Sequence, residues 1–372
     1  MAARREFLLT GVTGFLGKVV LEELLRRRDE LGLERVHVII RSRKQLSPEE
    51  RFEQEVACSP CFSRLPPGWT EAVSVVEGAL ERPCLGLAPT ARQELGQRVT
   101  HVLHAAASVS FDLPLEEAAR ANVATTVHLL ELARGCSRLE RLVYVSTAYV
   151  TPHPGDGASI PEALAPLPEP PEELYRAILE GTVAEAVLLK RSRHPNTYTL
   201  TKSLAEHLLV ARRGDVPLSI VRPSIISASW RHPFPGWIDS IAGFGGFVVL
   251  IGLGHLRVVV ARPTARLDLI PVDLVAGHML AECLGSEPGT APVIRHAVAG
   301  LPHSPRLLDC WESIRGFFSV HQVDRAPVIR YVGPRGFRFA LAHALHHRLA
   351  VAAASLRYPA LRRSGAQLLA RL

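Results

Sequence analysis

The chain has 372 residues, of which 47% are apolar and 21% are charged. This composition excludes an intrinsically disordered chain and predicts one large domain, alone or with a smaller one. The net charge of +7 favours an anionic ligand such as a nucleotide, a coenzyme A or a membrane surface. The sequence has no zinc-finger spacing, RNA-binding aromatic signature or basic-zipper heptads, so no nucleic-acid partner is expected.

The cysteine content and the hydropathy indicate the compartment. Cys58 and Cys61 form an isolated C-x-x-C without a second pair, which favours two free thiols over a metal or redox site, and no metal is expected. The first residues run straight into a predicted strand without a signal peptide, and the apolar stretch 241–253 is too short to span a bilayer. We therefore expect an intracellular protein, cytoplasmic or peripheral on a membrane.

Short apolar segments alternate with helical patterns along the first 220 residues. Such alternation predicts an α/β fold with a Rossmann-type, doubly wound parallel sheet and right-handed crossovers. A stretch rich in Pro and acidic residues, 151–172, predicts a surface loop. The predicted strands are 7–9, 36–40, 73–76, 102–103, 142–145 and 218–221, and the predicted helices are 17–28, 114–134 and 199–212.

A glycine-rich turn follows the first strand. Gly11, Gly14 and Gly17 are spaced as G-x-x-G-x-x-G, which allows a tight turn, a close approach of the backbone to a pyrophosphate, and packing of the helix on the strand. The position between a strand and a helix favours a dinucleotide site over a purely structural turn. The predicted contacts in this turn are Thr10, Gly11, Thr13, Gly14, Phe15, Leu16 and Gly17.

The residues after the second and fourth strands bear on the identity of the dinucleotide. Arg41 and Arg43 occupy the position where an acidic residue usually binds a cofactor that lacks the 2′-phosphate, so their positive charge favours NADPH. A solvated loop of basic residues is the alternative interpretation. His104, Ala105 and Ala106 follow the fourth strand, and the small residues there let the chain pass close to the adenosine ribose. Asn122, in the next helix, is expected either to contact the ligand or to brace the helix.

Candidate catalytic groups lie further along the chain. Tyr198 and Lys202 are four residues apart on one helix face, where a nearby ammonium would lower the pKa of the phenol. Ser146 and Thr147 follow the fifth strand and offer a hydroxyl to a substrate oxygen. After the sixth strand, the predicted nicotinamide contacts are Pro223, Ser224 and Ile225, with strand termination as the alternative role of the proline.

Together these residues resemble the extended short-chain dehydrogenase/reductases and, within them, the fatty acyl-CoA reductases. The resemblance covers roughly residues 6–285. The segment Pro-Gly-Trp-Ile-Asp is its most specific part, because sugar epimerases and steroid dehydrogenases of this fold lack it. The segments that carry the likeness are 194–206, 221–226, 233–239 and 269–273.

The resemblance implies a catalytic set of Thr147, Tyr198 and Lys202, with Ser146 as an alternative to Thr147. It implies that hydride from NADPH attacks a long-chain acyl-CoA thioester, that Tyr198 protonates the oxygen, and that the resulting aldehyde is reduced again to a primary alcohol. A same-fold enzyme acting on a sterol or sugar, and a non-catalytic NADP-binding protein, are the alternatives. One departure is Gly78-Ala79-Leu80, where the family usually has Gly-Asp-Leu with an Asp that contacts the adenine.

The expected domain organisation follows from this likeness. An NADP-binding domain is predicted over 1–285, with a smaller, mostly helical and apolar substrate lobe at about 228–266 that could instead be a satellite core. Residues 286–372 are predicted to form a divergent, partly helical segment, whose Arg-rich end lies either on an anionic membrane or in solvent. A homodimer is a further expected assembly. The last residues, Ala370-Arg371-Leu372, resemble a peroxisomal address.

Overall fold

A computed structural model describes residues 4–43, 45–153, 155, 157–285, 291–321 and 328–332. The chain divides into two compact units. The first comprises the described residues up to Asp239 together with Ile270–Val298, and the second comprises Ser240–Leu269 and the described residues from Ala299 onward. Lys44, the Arg-rich end of the chain and the last three residues lie outside the described residues.

The strands account for the central layer of the first unit. Seven of them form one sheet in the order β10-β6-β5-β4-β1-β2-β3, and all its neighbours are parallel. The strands in chain order are β1 (Arg5–Thr10), β2 (Leu33–Ile40), β3 (Val73–Glu77), β4 (His101–His104), β5 (Arg141–Val145), β6 (Leu218–Pro223), β7 (Ile225–Ser227), β8 (Val258–Val260), β9 (Leu269–Pro271), β10 (Val293–Ala297) and β11 (Arg330–Val332).

Helices cover both faces of this sheet, and a π-helical turn, Arg120–Ala124, joins α5 to α6. The helices in chain order are α1 (Phe15–Arg26), α2 (Arg28–Leu31), α3 (Pro48–Phe52), α4 (Pro89–Arg98), α5 (Leu115–Ala119), α6 (Thr125–Arg134), α7 (Pro171–Leu179), α8 (Glu185–Ser192), α9 (Thr197–Arg212), α10 (Phe244–Gly252), α11 (Val272–Leu284), α12 (Gly300–His303) and α13 (Leu307–Val320). Among the described residues, no helix combines the length and apolar character needed to cross a bilayer.

Two apolar layers hold the first unit together. On one face of the sheet α1 packs with α11, and on the other α6 packs with α9. The central strands are buried on both faces, as expected of a parallel sheet covered by helices. The buried residues that make these contacts include Leu21, Leu24, Val275 and Met279 in the first layer and Leu129, Leu130, Leu204 and Leu208 in the second.

The predicted Rossmann-type fold is confirmed, and each of the six predicted strands lies within an observed one. The strand order reverses between β1 and β4, which is the switch point where ligands bind in doubly wound sheets.

The structure differs from the expected boundary at residue 285. The sheet continues to β10, which pairs with β6. This edge strand contains Arg295 and His296 and lacks the unbroken apolar run of the central strands. The expected lobe at 228–266 also differs, because its residues up to Asp239 belong to the first unit and the second unit begins at Ser240.

Candidate functional site

The glycine-rich turn leaves the carboxyl end of β1 and leads into α1. Gly11 has a φ of +81°, and the Gly14 amide donates to the Gly11 carbonyl at 2.9 Å. A Cβ on Gly11 would lie 2.7 Å from the Ala106 nitrogen, and one on Gly17 would lie 2.0 Å from the Gly11 oxygen. Only glycine fits at these two positions, so the turn is shaped for a close backbone approach at the amino end of α1.

A cavity of about 730 Å³ adjoins this turn. Among the predicted cofactor residues, Gly11, Thr13, Gly14, Arg41, Arg43, Ala105 and Ala106 line it. Sequence reasoning missed two further cationic residues on its wall, Arg51 and Arg120. Neither belongs to a motif, since α3 and the π-helical turn before α6 bring them to the cavity through tertiary packing. The size and the cations of this cavity suit the adenosine and phosphates of a dinucleotide.

The basic wall is partly balanced by acids. Arg41 is 57% exposed at its side chain, and its Nη1 lies 3.2 Å from Oε1 of Glu81. Arg51 is buried; it donates to the Arg41 carbonyl at 2.6 Å and to both carboxylate oxygens of Glu55 at 3.0 and 2.7 Å. Arg51 therefore fixes the end of β2, while Arg41 presents an accessible charge to the cavity.

Three predicted cofactor residues use their side chains to brace the site. The Thr10 hydroxyl bonds Nδ1 of His104 at 2.7 Å, and Nε2 of that ring lies 3.1 Å from the Thr126 hydroxyl. Burial, together with the charge of Lys202, lowers the pKa of His104 to about 3, so the imidazole is neutral. Asn122 accepts from the Ser108 amide at 2.8 Å and donates to Thr201 at 3.2 Å, which is the bracing role.

The candidate catalytic groups meet at the carboxyl end of β5. Asn196 caps α9 by accepting from the Thr199 amide at 2.9 Å, which places Tyr198 in the first turn of the helix and Lys202 one turn later. The Tyr198 hydroxyl is hydrogen-bonded to the Thr147 side chain. The Lys202 ammonium donates to the Val145 carbonyl at 2.5 Å.

The two hydroxyls after β5 have different environments. Thr147 bonds Tyr198 and also lies 3.5 Å from the Pro223 carbonyl. Ser146 is buried, and its hydroxyl has no hydrogen-bond partner among the described residues. The structure therefore places Thr147, and not Ser146, beside the phenol.

The pKa values of this group differ from the expectation that Lys202 lowers the pKa of Tyr198. Burial raises the pKa of Tyr198 to about 12, and the hydrogen bond from Thr147 offsets only part of the rise. Burial also lowers the pKa of Lys202 to about 7, opposed by the charge of Glu206. The Lys202 ammonium bonds the Val145 carbonyl and lies 4.2 Å from the centre of the Tyr144 ring. Tyr198 is consequently protonated at neutral pH.

The surroundings of Tyr198 include residues that no motif predicts. The ring of Phe111, from the loop after β4, lies 5.6 Å from the ring of Tyr198. Beneath α9, the buried Arg222 guanidinium donates to the buried Glu206 carboxylate at 2.9 and 2.6 Å and so ties α9 to β6. A rigid helix thus carries the phenol.

The carboxyl end of β6 shows the strand-terminating role predicted for Pro223. Pro223 is the last residue of β6, as strand termination requires, and its carbonyl lies beside Thr147. The Ser224 amide donates to the Ala297 carbonyl at 3.1 Å, and Ile225 begins β7. Of these three residues, the structure places Pro223 beside Thr147.

No metal centre is formed by the parts of the chain that the structure describes, in which no three His, Cys, Asp or Glu side chains cluster. Cys58 is an exposed free thiol and Cys61 a buried one. Burial raises the pKa of the Cys61 thiol, which makes it less reactive as a nucleophile.

The fold and this site define a Rossmann-type domain that binds a nicotinamide dinucleotide. The chain matches the family described as male sterility protein over residues 9–279. It is 36% identical over 283 residues to fatty acyl-CoA reductase 1 of Gallus gallus and of Homo sapiens, which covers 74% of this chain and 54% of each relative. The chain belongs to this family of fatty acyl-CoA reductases.

Further comparisons agree with that assignment. Fatty acyl-CoA reductase 2 of Mus musculus is 33% identical over 285 residues, which is 75% of this chain and 54% of that protein. The chain therefore spans about half the length of the curated relatives it matches. Among solved structures, the terminal R domain of the myxalamid biosynthetic pathway is 26% identical with a TM-score of 0.69, covering 99% of this chain and 79% of that one. The fold is shared by the reductase domain of a nonribosomal peptide synthetase from Mycobacterium tuberculosis. That domain is 22% identical with a TM-score of 0.63, and the match covers 91% of this chain and 75% of that one.

Proposed function

We propose that the chain uses NADPH to reduce a long-chain fatty acyl-CoA thioester to an aldehyde and then to a primary alcohol. The observation that carries the proposal is the hydrogen bond between Tyr198 and Thr147 beside the buried Lys202. These groups lie at the same edge of the sheet as the glycine turn, because the parallel strands β5, β4 and β1 are neighbours and end together. The relatives named as fatty acyl-CoA reductases supply the substrate class.

The chain's own residues fit the dinucleotide. The turn at Gly11 and Gly14 would hold the pyrophosphate at the amino end of α1, and Arg41 with Arg43 would meet the 2′-phosphate. When bound, the reduced nicotinamide supplies the hydride. Lys202 would bond the ribose hydroxyls in exchange for its bond to the Val145 carbonyl.

Two side chains then act on the substrate. Thr147 donates a hydrogen bond to the thioester oxygen as negative charge develops there, and Tyr198 donates its proton to the same oxygen. The raised pKa of Tyr198 keeps the phenol in the protonated, donor form at neutral pH. The hemithioacetal returns its hydroxyl proton to the Tyr198 phenolate as it expels the coenzyme A thiolate, and this leaves the aldehyde. A second molecule of NADPH would supply the hydride for the second reduction, in which Thr147 again orients the carbonyl oxygen and Tyr198 again donates the proton.

The apolar character of α10 supports an acyl chain as the rest of the substrate. The helix contains no charged or polar side chain, and Val249 is 42% exposed within the second unit. Each methylene removed from water contributes about 0.8 kcal/mol, so a long chain gains substantially from an apolar surface of this kind. A sterol or sugar substrate stays the alternative for the enzyme, and NADP binding without catalysis stays the alternative outside the enzymes.

The test is an assay of the purified full chain with NADPH and hexadecanoyl-CoA. NADPH absorbance, free thiol and the organic product are followed together, the last by mass spectrometry. The proposal is supported by loss of NADPH together with release of free thiol and formation of hexadecanal or hexadecanol. Each molecule of aldehyde requires one NADPH per thiol released, and each molecule of alcohol requires two. NADPH loss with a sterol or a sugar nucleotide and none with the acyl-CoA favours the enzyme alternative, and binding of NADPH without turnover of any substrate favours the non-catalytic one. The expected homodimer, membrane contact and localisation stay predictions.

A further inference from the structure

Residues 233–239, one of the segments that carry the resemblance to the family, pack against α1, the helix that follows the glycine turn. The rings of Trp237 and Phe15 lie 5.4 Å apart, and Trp237 is 6% exposed. Lys18 Nζ lies 2.6 Å from Oδ2 of Asp239. Phe15 and Lys18 are three residues apart and share one face of α1, so two contacts from the segment engage the first turn of the helix together.

The segment is itself firmly built. The Ser229 amide donates to the Trp237 carbonyl at 3.0 Å, the Ser229 hydroxyl donates to the Phe234 carbonyl at 2.5 Å, and the Trp237 amide donates back to that hydroxyl at 3.2 Å. Asp273 accepts from three successive amides, those of Trp230, Arg231 and His232, at 2.8, 2.8 and 3.1 Å. A segment anchored in this way can fix the position of whatever packs on it.

The charge on Lys18 needs such a partner. The amino end of a helix carries partial positive charge, so an ammonium in the first turn is unfavourable unless an acid lies against it. The side chains of Lys18 and Asp239 are 12% and 27% exposed, which shields the pair from solvent more than an ordinary surface pair. Among the described residues of α1, the first turn contains no acid of its own.

We propose that Phe15, Lys18, Trp237 and Asp239 form a latch, in which Lys18 and Asp239 are positioning residues for the cofactor. This inference rests on the proposed NADPH site. The backbone amides of Phe15 and its neighbours are those that a pyrophosphate would meet, and the latch holds their turn in place through the Phe15 and Lys18 side chains. The Lys18–Asp239 pair thereby sets the affinity of the glycine turn for the dinucleotide, although neither side chain touches the dinucleotide.

The first arm of the test measures NADPH affinity by fluorescence titration. Asp239→Asn, which keeps the shape of the side chain, and Lys18→Met are each expected to weaken binding about 5-fold. The exchanged pair Lys18→Glu with Asp239→Lys is expected to bind within about 2-fold of the wild type. The matched control is Arg191→Met on α8. It removes an ion pair in which Nη2 of Arg191 lies 2.6 Å from Oε1 of Glu169, and it is expected to leave the affinity unchanged. Single variants that bind like the wild type would overturn the proposal.

The second arm needs no cofactor. Hydrogen exchange is measured on peptides covering residues 11–20 and 229–241 in the wild type and in Asp239→Asn. The latch predicts faster exchange in both peptides, whereas a purely local role for Asp239 accelerates only the second and overturns the proposal. If the wild type does not bind NADPH, yet Asp239→Asn exchanges faster than the wild type at residues 11–20, the result supports the latch and contradicts the proposed cofactor.

Discussion

Replacing Lys202 by Met removes a charge that the folded protein holds at a cost. Burial lowers the pKa of Lys202 from its ordinary value of 10.5 to about 7. At pH 7 this difference corresponds to roughly 4 kcal/mol of lost stability, since one pKa unit is about 1.4 kcal/mol. The variant loses the donor to the Val145 carbonyl, which costs about 2 kcal/mol. Lys202→Met is therefore expected to be about 2 kcal/mol more stable than the wild type at pH 7 and to have no reductase activity.

The pH dependence gives this prediction its sign. Between pH 7 and 10.5 the unfolded chain keeps a proton on Lys202 that the folded chain has released, so wild-type stability rises with pH in this window and this contribution is constant below it. Relative to Lys202→Met, the wild type should gain about 2 kcal/mol between pH 7 and pH 9. Urea unfolding at both pH values measures the difference, with the exposed Lys190→Met on α8 as the control. Parallel pH dependences for wild type and Lys202→Met would refute the reasoning.

Three further predictions concern the same site. Thr147→Val is expected to lower kcat about 100-fold and Ser146→Ala to leave kcat nearly unchanged, because of the two hydroxyls only that of Thr147 bonds the phenol. Steady-state NADPH oxidation measures both variants. A larger loss of kcat in Ser146→Ala than in Thr147→Val would reverse the assignment. Ala79→Asp should tighten NADPH binding about 5-fold by restoring one hydrogen bond to the adenine. A titration that shows no gain in affinity would contradict the adenine contact assigned to an acid at position 79. Arg41→Asp should weaken NADPH binding roughly 30-fold and shift the preference towards NADH, whereas an unchanged ratio of the two affinities would contradict the phosphate assignment.

The sequence predicts the parts of the fold that are locally encoded. The central strands are unbroken apolar runs, and Asn196 ahead of Tyr198 caps a helix that a 3.6-residue period already indicates. β10 was not predicted, because an edge strand with Arg295 and His296 shows no such run.

The candidate site divides in the same way. The glycine turn and the Tyr198–Lys202 pair are short motifs whose members are close in the chain, so their spacing alone brings them together. Arg51 and Phe111 reach the site only through tertiary packing, which no spacing encodes. The pKa of Tyr198 was expected to fall and instead rises, because burial of the phenol, which depends on the packing around α9, outweighs the hydrogen bond from Thr147.

The most direct test of the proton-donor role is Tyr198→Phe in the full chain, with Tyr175→Phe on α7 as the matched control. NADPH binding is measured by fluorescence titration, and reduction of hexadecanoyl-CoA by loss of NADPH absorbance. The mechanism predicts that Tyr198→Phe binds NADPH within about 3-fold of the wild type while turnover falls by at least roughly 100-fold, and that the control changes neither. Turnover that survives the loss of the Tyr198 hydroxyl would contradict the account.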